Sequence, residues 1–327
     1  MTRTPHHLRL SLILGLGSLM AGLVATLFAA CGSSGNNASS STGTRSLSST
    51  AGVSTKTLQV VAGENFWGSI AAQLGGTHVN VQSVVSDPNA DPHEYESSSD
   101  DARAFADADY VILNGAGYDA WGDKLLSASP RASRKSFIVA DLLGKKDGDN
   151  PHFWYSPDDV ERVIQQISAD YKGLDPADAA YFDAQKTRYE TALAPYRARI
   201  ASIKEQFAAK PVSSTESIFA YLADALGLNL ISPSDFMQAV SEGNDPPAAS
   251  VAAFQDQLQN KQAVLLIYNL QTATAVTTNI KHIAEGLDIP VVGVTETIQP
   301  PDATFQDWMN AQLIAIQNGL NANALSQ

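Results

Sequence analysis

One cysteine, Cys31, is all the thiol chemistry that 327 residues contain. Beyond that position neither a disulfide nor a thiolate metal site can form. Basic residues are also scarce, 21 Lys and Arg against 34 Asp and Glu, so the net charge is −13. Such a chain repels nucleic acid and favours cations at its surface. After residue 30 no apolar run approaches the ~18 residues that a membrane span requires, so the rest reads as a soluble globular protein. His-Glu-x-x-His, Gly-x-Ser-x-Gly and phosphate-loop patterns are all missing, which removes the common signatures of metalloproteases, esterases and nucleotide hydrolases. Histidine is rare too, six in all, and His6 and His7 stand near the amino terminus.

What the first 55 residues do contain is ordered. Arg3 and Arg9 precede a mostly apolar stretch over 10–30, then Cys31, then a run of Ser, Gly, Thr, Asn and Ala to residue 55. That order reads as an export signal, a modification site and a flexible tether. It resembles a bacterial lipoprotein signal (1–30), in which the cysteine becomes the lipidated first residue of the mature chain. The usual pattern has Leu three before the cysteine; here Phe28 stands there and Leu27 one further back. The alternative is a plain transmembrane anchor of about 20 residues. On either reading the remainder works outside the cytoplasm, held at a membrane surface. Loss of Arg3 and Arg9 with the signal takes the net charge from −13 to −15.

Short β-branched runs recur at 58–61, 79–85, 110–113 and 137–140, and again at 228–231, 264–268 and 291–294. Helix-like segments such as 66–74, 102–106 and 273–284 lie between them. This alternation predicts an α/β protein with parallel sheets covered by helices on both faces. One segment breaks the rhythm. Asp175 and Pro176 form an N-cap and first helical position, and helix-compatible sequence then continues to about residue 209. At about 50 Å, with a kink expected at Pro195, such a helix suits a strut between lobes at 56–174 and 210–327, with a tether at 31–55.

His78 follows Gly75-Gly76-Thr77 and reads as a solvated loop residue; His282, beside Lys281 in an amphipathic helix, reads as surface. His93 and His152 differ. Each follows a proline, in a loop leaving a strand-like run, and the carboxyl edge of an open parallel sheet is where ligands bind. Asp87 and Asp91 near His93, and Asp149 near His152, read equally as imidazole acceptors or turn formers. Asn269 and Gln271 end a strand at the same edge and suit either pocket lining or helix capping.

Four segments in order make the chain similar to a known family: Pro92-His93-Glu94-Tyr95-Glu96, Asn114-Gly115-Ala116-Gly117 with Trp121, Asn150-Pro151-His152-Phe153-Trp154, and Glu216-Ser217-Ile218-Phe219-Ala220-Tyr221. Together they resemble the substrate-binding lipoproteins of zinc and manganese ABC importers, from about residue 58 to the end. The resemblance implies two lobes joined by one long helix, with a metal held between them by four side chains. Carried over, these are His93, His152, Glu216 and Glu296. The third position is often His in the family, and Glu216 matches the manganese-binding members. The fourth is usually Asp, and Thr295-Glu296-Thr297 supplies Glu296. Without the family, Glu216 would be a helix-start carboxylate behind the cap residue Thr215, and Glu296 one loop acid among many.

Two neutral imidazoles and two carboxylates balance a divalent ion. Replacing a third imidazole by carboxylate moves the set towards Mn2+, although Zn2+ still binds more tightly in simple competition and Fe2+ remains compatible. Zinc-type members often carry a His-rich loop before the second Pro-His motif; residues 144–149 contain no histidine. The implied function is capture of Mn2+ or Zn2+ and delivery to an ABC importer permease, without enzymatic activity. The alternative is a secreted metal-dependent hydrolase. Catalytic zinc keeps three protein ligands and an open position, which suits four ligands at spacings of 59, 64 and 80 residues less well. A surface adhesin is compatible with the tether but leaves both Pro-His loops unexplained.

Overall fold

A computed structural model describes residues 56–88 and 92–324; the signal, Cys31, the tether and Asp91 lie outside the described residues. Among the described residues eight strands form two four-stranded parallel sheets. In the first, β1 (Leu58–Glu64) lies between β2 (Val79–Val85) and β3 (Tyr110–Leu113), with β4 (Lys135–Ile138) beyond β3. In the second, β5 (Pro211–Ser214) lies between β6 (Asn229–Leu230) and β7 (Leu266–Asn269), with β8 (Val291–Val294) outside β7. Register is parallel throughout: Val60 pairs with Val81 and Tyr110, and Ile267 with Val292. Each sheet therefore reverses its winding beside its first strand, and the crevice at the carboxyl ends there is where such folds place ligands.

Strand β5 is absent from the sequence reading. Pro211-Val212-Ser213-Ser214 has one β-branched residue and two serines, yet both serines are buried. Ser214 is satisfied inside the sheet: its amide donates to Ser232 Oγ at 2.7 Å, Ser232 Oγ donates back to Ser214 O at 2.9 Å, and Ser214 Oγ donates to Glu216 O at 2.7 Å. Run 137–140 also splits, since Val139 begins a short helix, Val139–Leu143.

The strut is present as a bent helix of 32 residues. A short 3-10 turn, Pro176–Asp178, leads into Ala179–Ala192 and then Ala194–Phe207, with the break at Leu193. Pro195 explains the break, because it has no N–H for the carbonyl four residues back and its ring crowds that turn. The expected cap fails: Asp175 occupies the N-cap position but makes no side-chain cap bond. Among the described residues no helix is long and apolar enough to cross a membrane.

The halves touch through directed contacts. Tyr155 Oη donates to Thr295 O at 2.8 Å, the Ile298 amide donates to Asn65 Oδ1 at 3.0 Å, and Tyr221 Oη donates to Asn150 O at 2.9 Å. Phe66 stacks on Trp154 at 3.9 Å between ring centroids, in a core that also contains Tyr118 and Phe153.

Candidate metal centre

His93 lies on a 3-10 turn, Pro92–Glu94, beyond β2; His152 starts the turn Phe153–Tyr155; Glu216 follows β5; Glu296 follows β8. All four hang from carboxyl ends of the two sheets. The fold brings one ligand atom of each to within 4.8 Å of the others. His152 Nε2 is 3.3 Å from Glu216 Oε1 and 3.8 Å from Glu296 Oε2, and His93 Nε2 is 3.4 Å from Glu296 Oε2. His152 and both glutamates are fully buried, whereas 17% of the His93 side chain is exposed. His93 also lines a cavity of about 590 Å³ with Tyr118, Asn150, Ser217 and Glu242. His93 is therefore the member of the cluster that faces the cavity.

The tautomer of His152 follows from its neighbours. Asn150 Nδ2 donates to Ser217 O at 2.9 Å, so Oδ1 faces the other way and accepts the His152 amide at 3.1 Å. The same oxygen lies 2.6 Å from His152 Nδ1, which must then be the protonated nitrogen. Burial holds the imidazole below its usual range although Glu216 and Glu296 pull it upward. Neutral His152 thus turns the lone pair of Nε2 towards two carboxylates, and Nε2 makes no hydrogen bond among the described residues. Lone pair against anion is repulsive unless a cation lies between.

The carboxylates are fixed in turn. Burial opposes ionisation of Glu296, but the more exposed His93 and the Tyr118 hydroxyl outweigh it and hold the group at about 2. Tyr118 Oη donates to Glu296 Oε2 at 2.6 Å. Asn269 Nδ2 spans the two acids, 3.1 Å from Glu216 Oε2 and 2.8 Å from Glu296 Oε1. Gln271 Oε1 accepts the amides of Glu296 at 2.7 Å and Thr297 at 3.0 Å, bracing the last loop. Glu216 is itself the cap of the turn Ser217–Phe219, accepting the Ile218 amide at 3.1 Å, while Thr215 Oγ1 accepts from Asn269. Helix-start residue and cluster member are therefore the same carboxylate.

No local signal in the sequence marks Asn150 or Tyr118, and the neighbours of Asn269 suit lining and capping equally. Asp149 proves a turn former, accepting the Lys146 amide at 3.0 Å. The Asn-Gly-Ala-Gly segment supports this arrangement through its backbone. Gly115, Ala116 and Gly117 all have positive φ, and a Cβ on Gly115 would meet Ile138 Cγ2 at 2.6 Å. That tight coil leaves Asn114 Nδ2 2.9 Å from Pro151 O, anchoring the second Pro-His loop.

Below the cluster, Glu64 ends β1 fully buried. Burial first, then the Asp119 carboxyl that shares a hydrogen bond with it, push Glu64 well above 4.5. Burial raises Asp119 to about 6 against the opposing amides of Gly115 and Asn114. The folded pair retains a proton that the unfolded chain releases above about pH 4.5. Stability should therefore fall as pH rises from there through the folded values, by up to about 1.4 kcal/mol per pH unit for one proton. Glu64→Gln has no proton to lose. Urea midpoints of the metal-free chain between about pH 5 and 8 should show a flatter slope for the variant. Parallel pH profiles would mean that Glu64 is ionised in the fold.

A model of the family described as ZnuA, zinc-uptake complex component A, periplasmic, matches residues 60–319. The metal ABC transporter substrate-binding lipoprotein ScbA of Streptococcus cristatus is 26% identical over 190 residues, 51% of this chain and 59% of that protein. The iron ABC transporter substrate-binding lipoprotein MtsA of Streptococcus pyogenes is 25% identical over 273 residues, 77% of this chain and 78% of the relative. Among solved structures, the Mn-bound periplasmic metal binding protein of Candidatus Liberibacter asiaticus superposes with a TM-score of 0.64 at 19% identity. It covers 80% of this chain and 98% of its own. That likeness establishes the fold.

Proposed function

The chain belongs to the family of the zinc-uptake complex component A, and from that premise we propose that it is the extracytoplasmic receptor of a metal importer. It captures a divalent ion, Mn2+ or Zn2+ with Fe2+ also compatible, and hands it to an ABC permease in the membrane. His93, His152, Glu216 and Glu296 are the ligands. One observation carries the reading: a buried, neutral His152 aims an unprotonated nitrogen at carboxyl oxygens of Glu216 and Glu296, 3.3 and 3.8 Å away. Two imidazoles and two carboxylates supply the −2 that a divalent ion needs in a dry cleft.

Domain limits at 56–174, 175–209 and 210–327 follow from the same reading. The bent strut and the direct bonds between the halves favour release by small shifts of the loops, not wide opening. A hydrolase is disfavoured because four protein ligands leave no position for an attacking water in a tetrahedral site.

The donor set favours manganese by hardness and zinc by the general affinity order. Elemental analysis of chain purified without added metal, then Mn2+ against Zn2+ competition, tests the cargo. Glu216→His should retain binding and shift preference towards Zn2+, since nitrogen replaces a harder oxygen. Unchanged Mn2+ to Zn2+ selectivity in that variant would remove Glu216 from the ligand set.

Anchoring depends on Cys31, whose acyl chains supply about 0.8 kcal/mol per buried methylene. Cys31→Ala should release the protein from membranes during detergent-free fractionation. Unchanged partition would mean that residues 10–30 stay as a membrane helix.

A further inference from the structure

His78 stands at the amino end of β2, whereas His93 follows its carboxyl end, so about 23 Å of strand separates them. It is not a solvated loop residue: only 20% of its side chain is exposed. The ring stacks on Tyr181 at 3.9 Å between centroids and meets Phe182 edge-on at 5.8 Å. Facing it are Asp175 and Asp178, at either end of the bend that opens the strut, and one ligand atom from each residue lies within 4.8 Å of the others.

Three features of this cluster ask for a cation. Asp175 is 8% exposed, and its carboxylate neither caps the turn nor accepts a hydrogen bond among the described residues. Asp178 Oδ2 is buried and 2.9 Å from His78 Nδ1, yet it lies outside hydrogen-bond alignment. No ion pair among the described residues brings Lys or Arg to either aspartate; Lys172, close in sequence, is taken by Asp183 at 2.7 Å. A short, misaligned nitrogen–oxygen contact is what two ligands of one ion show, because each directs its lone pair at the ion and not at the other. His152 and Glu216 have the same signature in the cleft.

We propose that His78, Asp175 and Asp178 bind a second divalent transition-metal ion, of the zinc and cobalt class, at the joint between the first sheet and the strut. Two carboxylates neutralise the ion and one imidazole selects against calcium and magnesium. Three protein ligands leave positions for water, so this ion is held more weakly than one with four ligands in a buried cleft. Its effect is a staple, tying the start of β2 to the start of the helix that joins the halves. The proposal stands independently of the cleft assignment.

Zinc is the probe, with the full-length chain in detergent, stripped by chelator and dialysed against increasing Zn2+ before elemental analysis. Asp175→Asn with Asp178→Asn should bind one equivalent fewer than the unmutated chain, which carries the same other histidines. His152→Ala with Glu216→Ala should retain the weaker equivalent. Equal zinc content in the unmutated chain and the aspartate double variant overturns the proposal. Should the double variant fail to fold by circular dichroism, the unmutated chain decides. The His78 ring resonances should shift as the weaker equivalent fills, and unshifted resonances at saturating zinc also overturn it.

Discussion

Manganese or zinc at a thousandfold excess over its dissociation constant should stabilise the fold by about 4 kcal/mol, and Glu216→Ala should remove most of that gain. Linkage sets the magnitude, since an unfolded chain cannot gather ligands from positions 93, 152, 216 and 296. Glu216→Ala also removes the cap on the Ile218 amide, a loss worth about 1 kcal/mol by itself. Glu216→Gln separates the two effects. It keeps an oxygen for that amide while removing one of two negative charges that Asn269 bridges, so apo stability should be unchanged or raised as the metal response falls. A full metal-induced shift in Glu216→Gln, measured by urea denaturation with and without ion, would reduce Glu216 to a cap residue. Acid should weaken binding below about pH 6, because protons compete for the imidazoles. Glu296, held at about 2, stays ionised throughout that range.

Asn150→Ala should weaken metal binding roughly 10–100-fold, the usual effect of losing a group that orients a ligating histidine. Asn150 fixes the proton on His152 Nδ1 and ties the loop to Ser217 O across the cleft. Without it the ring can rotate or take the other tautomer, which turns a donor N–H towards the ion. Asn269→Ala should fall in the same range by a different route, since the two glutamates lose the amide between them. Competition against a chelating dye measures both. Wild-type affinity in Asn150→Ala would mean that packing against Trp154, 5.1 Å away between ring centroids, orients His152 unaided.

The order of the Pro-His loops, the alternation of apolar runs with helical segments and the kink at Pro195 are local properties, written in neighbouring residues. They were enough for two parallel sheets and a bent strut, whereas Glu216 and Glu296 were singled out only by the family resemblance. Strand β5 was hidden because its burial owes little to its own hydrophobicity: Ser213 and Ser214 sit at 0% exposure between neighbouring strands, where the Ser214 amide donates to Ser232 Oγ. Tyr118 meets Glu296 across 178 residues, and Asn269 meets Glu216 across 53. A hydrogen bond depends on where two atoms end up, to a few tenths of an ångström, and no residue spacing encodes that. His78 makes the same point in reverse. Its sequence neighbours, two glycines and a threonine, describe a solvated turn, while its surroundings in space are two aromatic rings and two carboxylates about 100 positions away. The sequence by itself determined which chemical groups were available and on which sheet edge they stood. Only the tertiary structure decided which of them face one another, because burial removes the water that would otherwise satisfy each group alone.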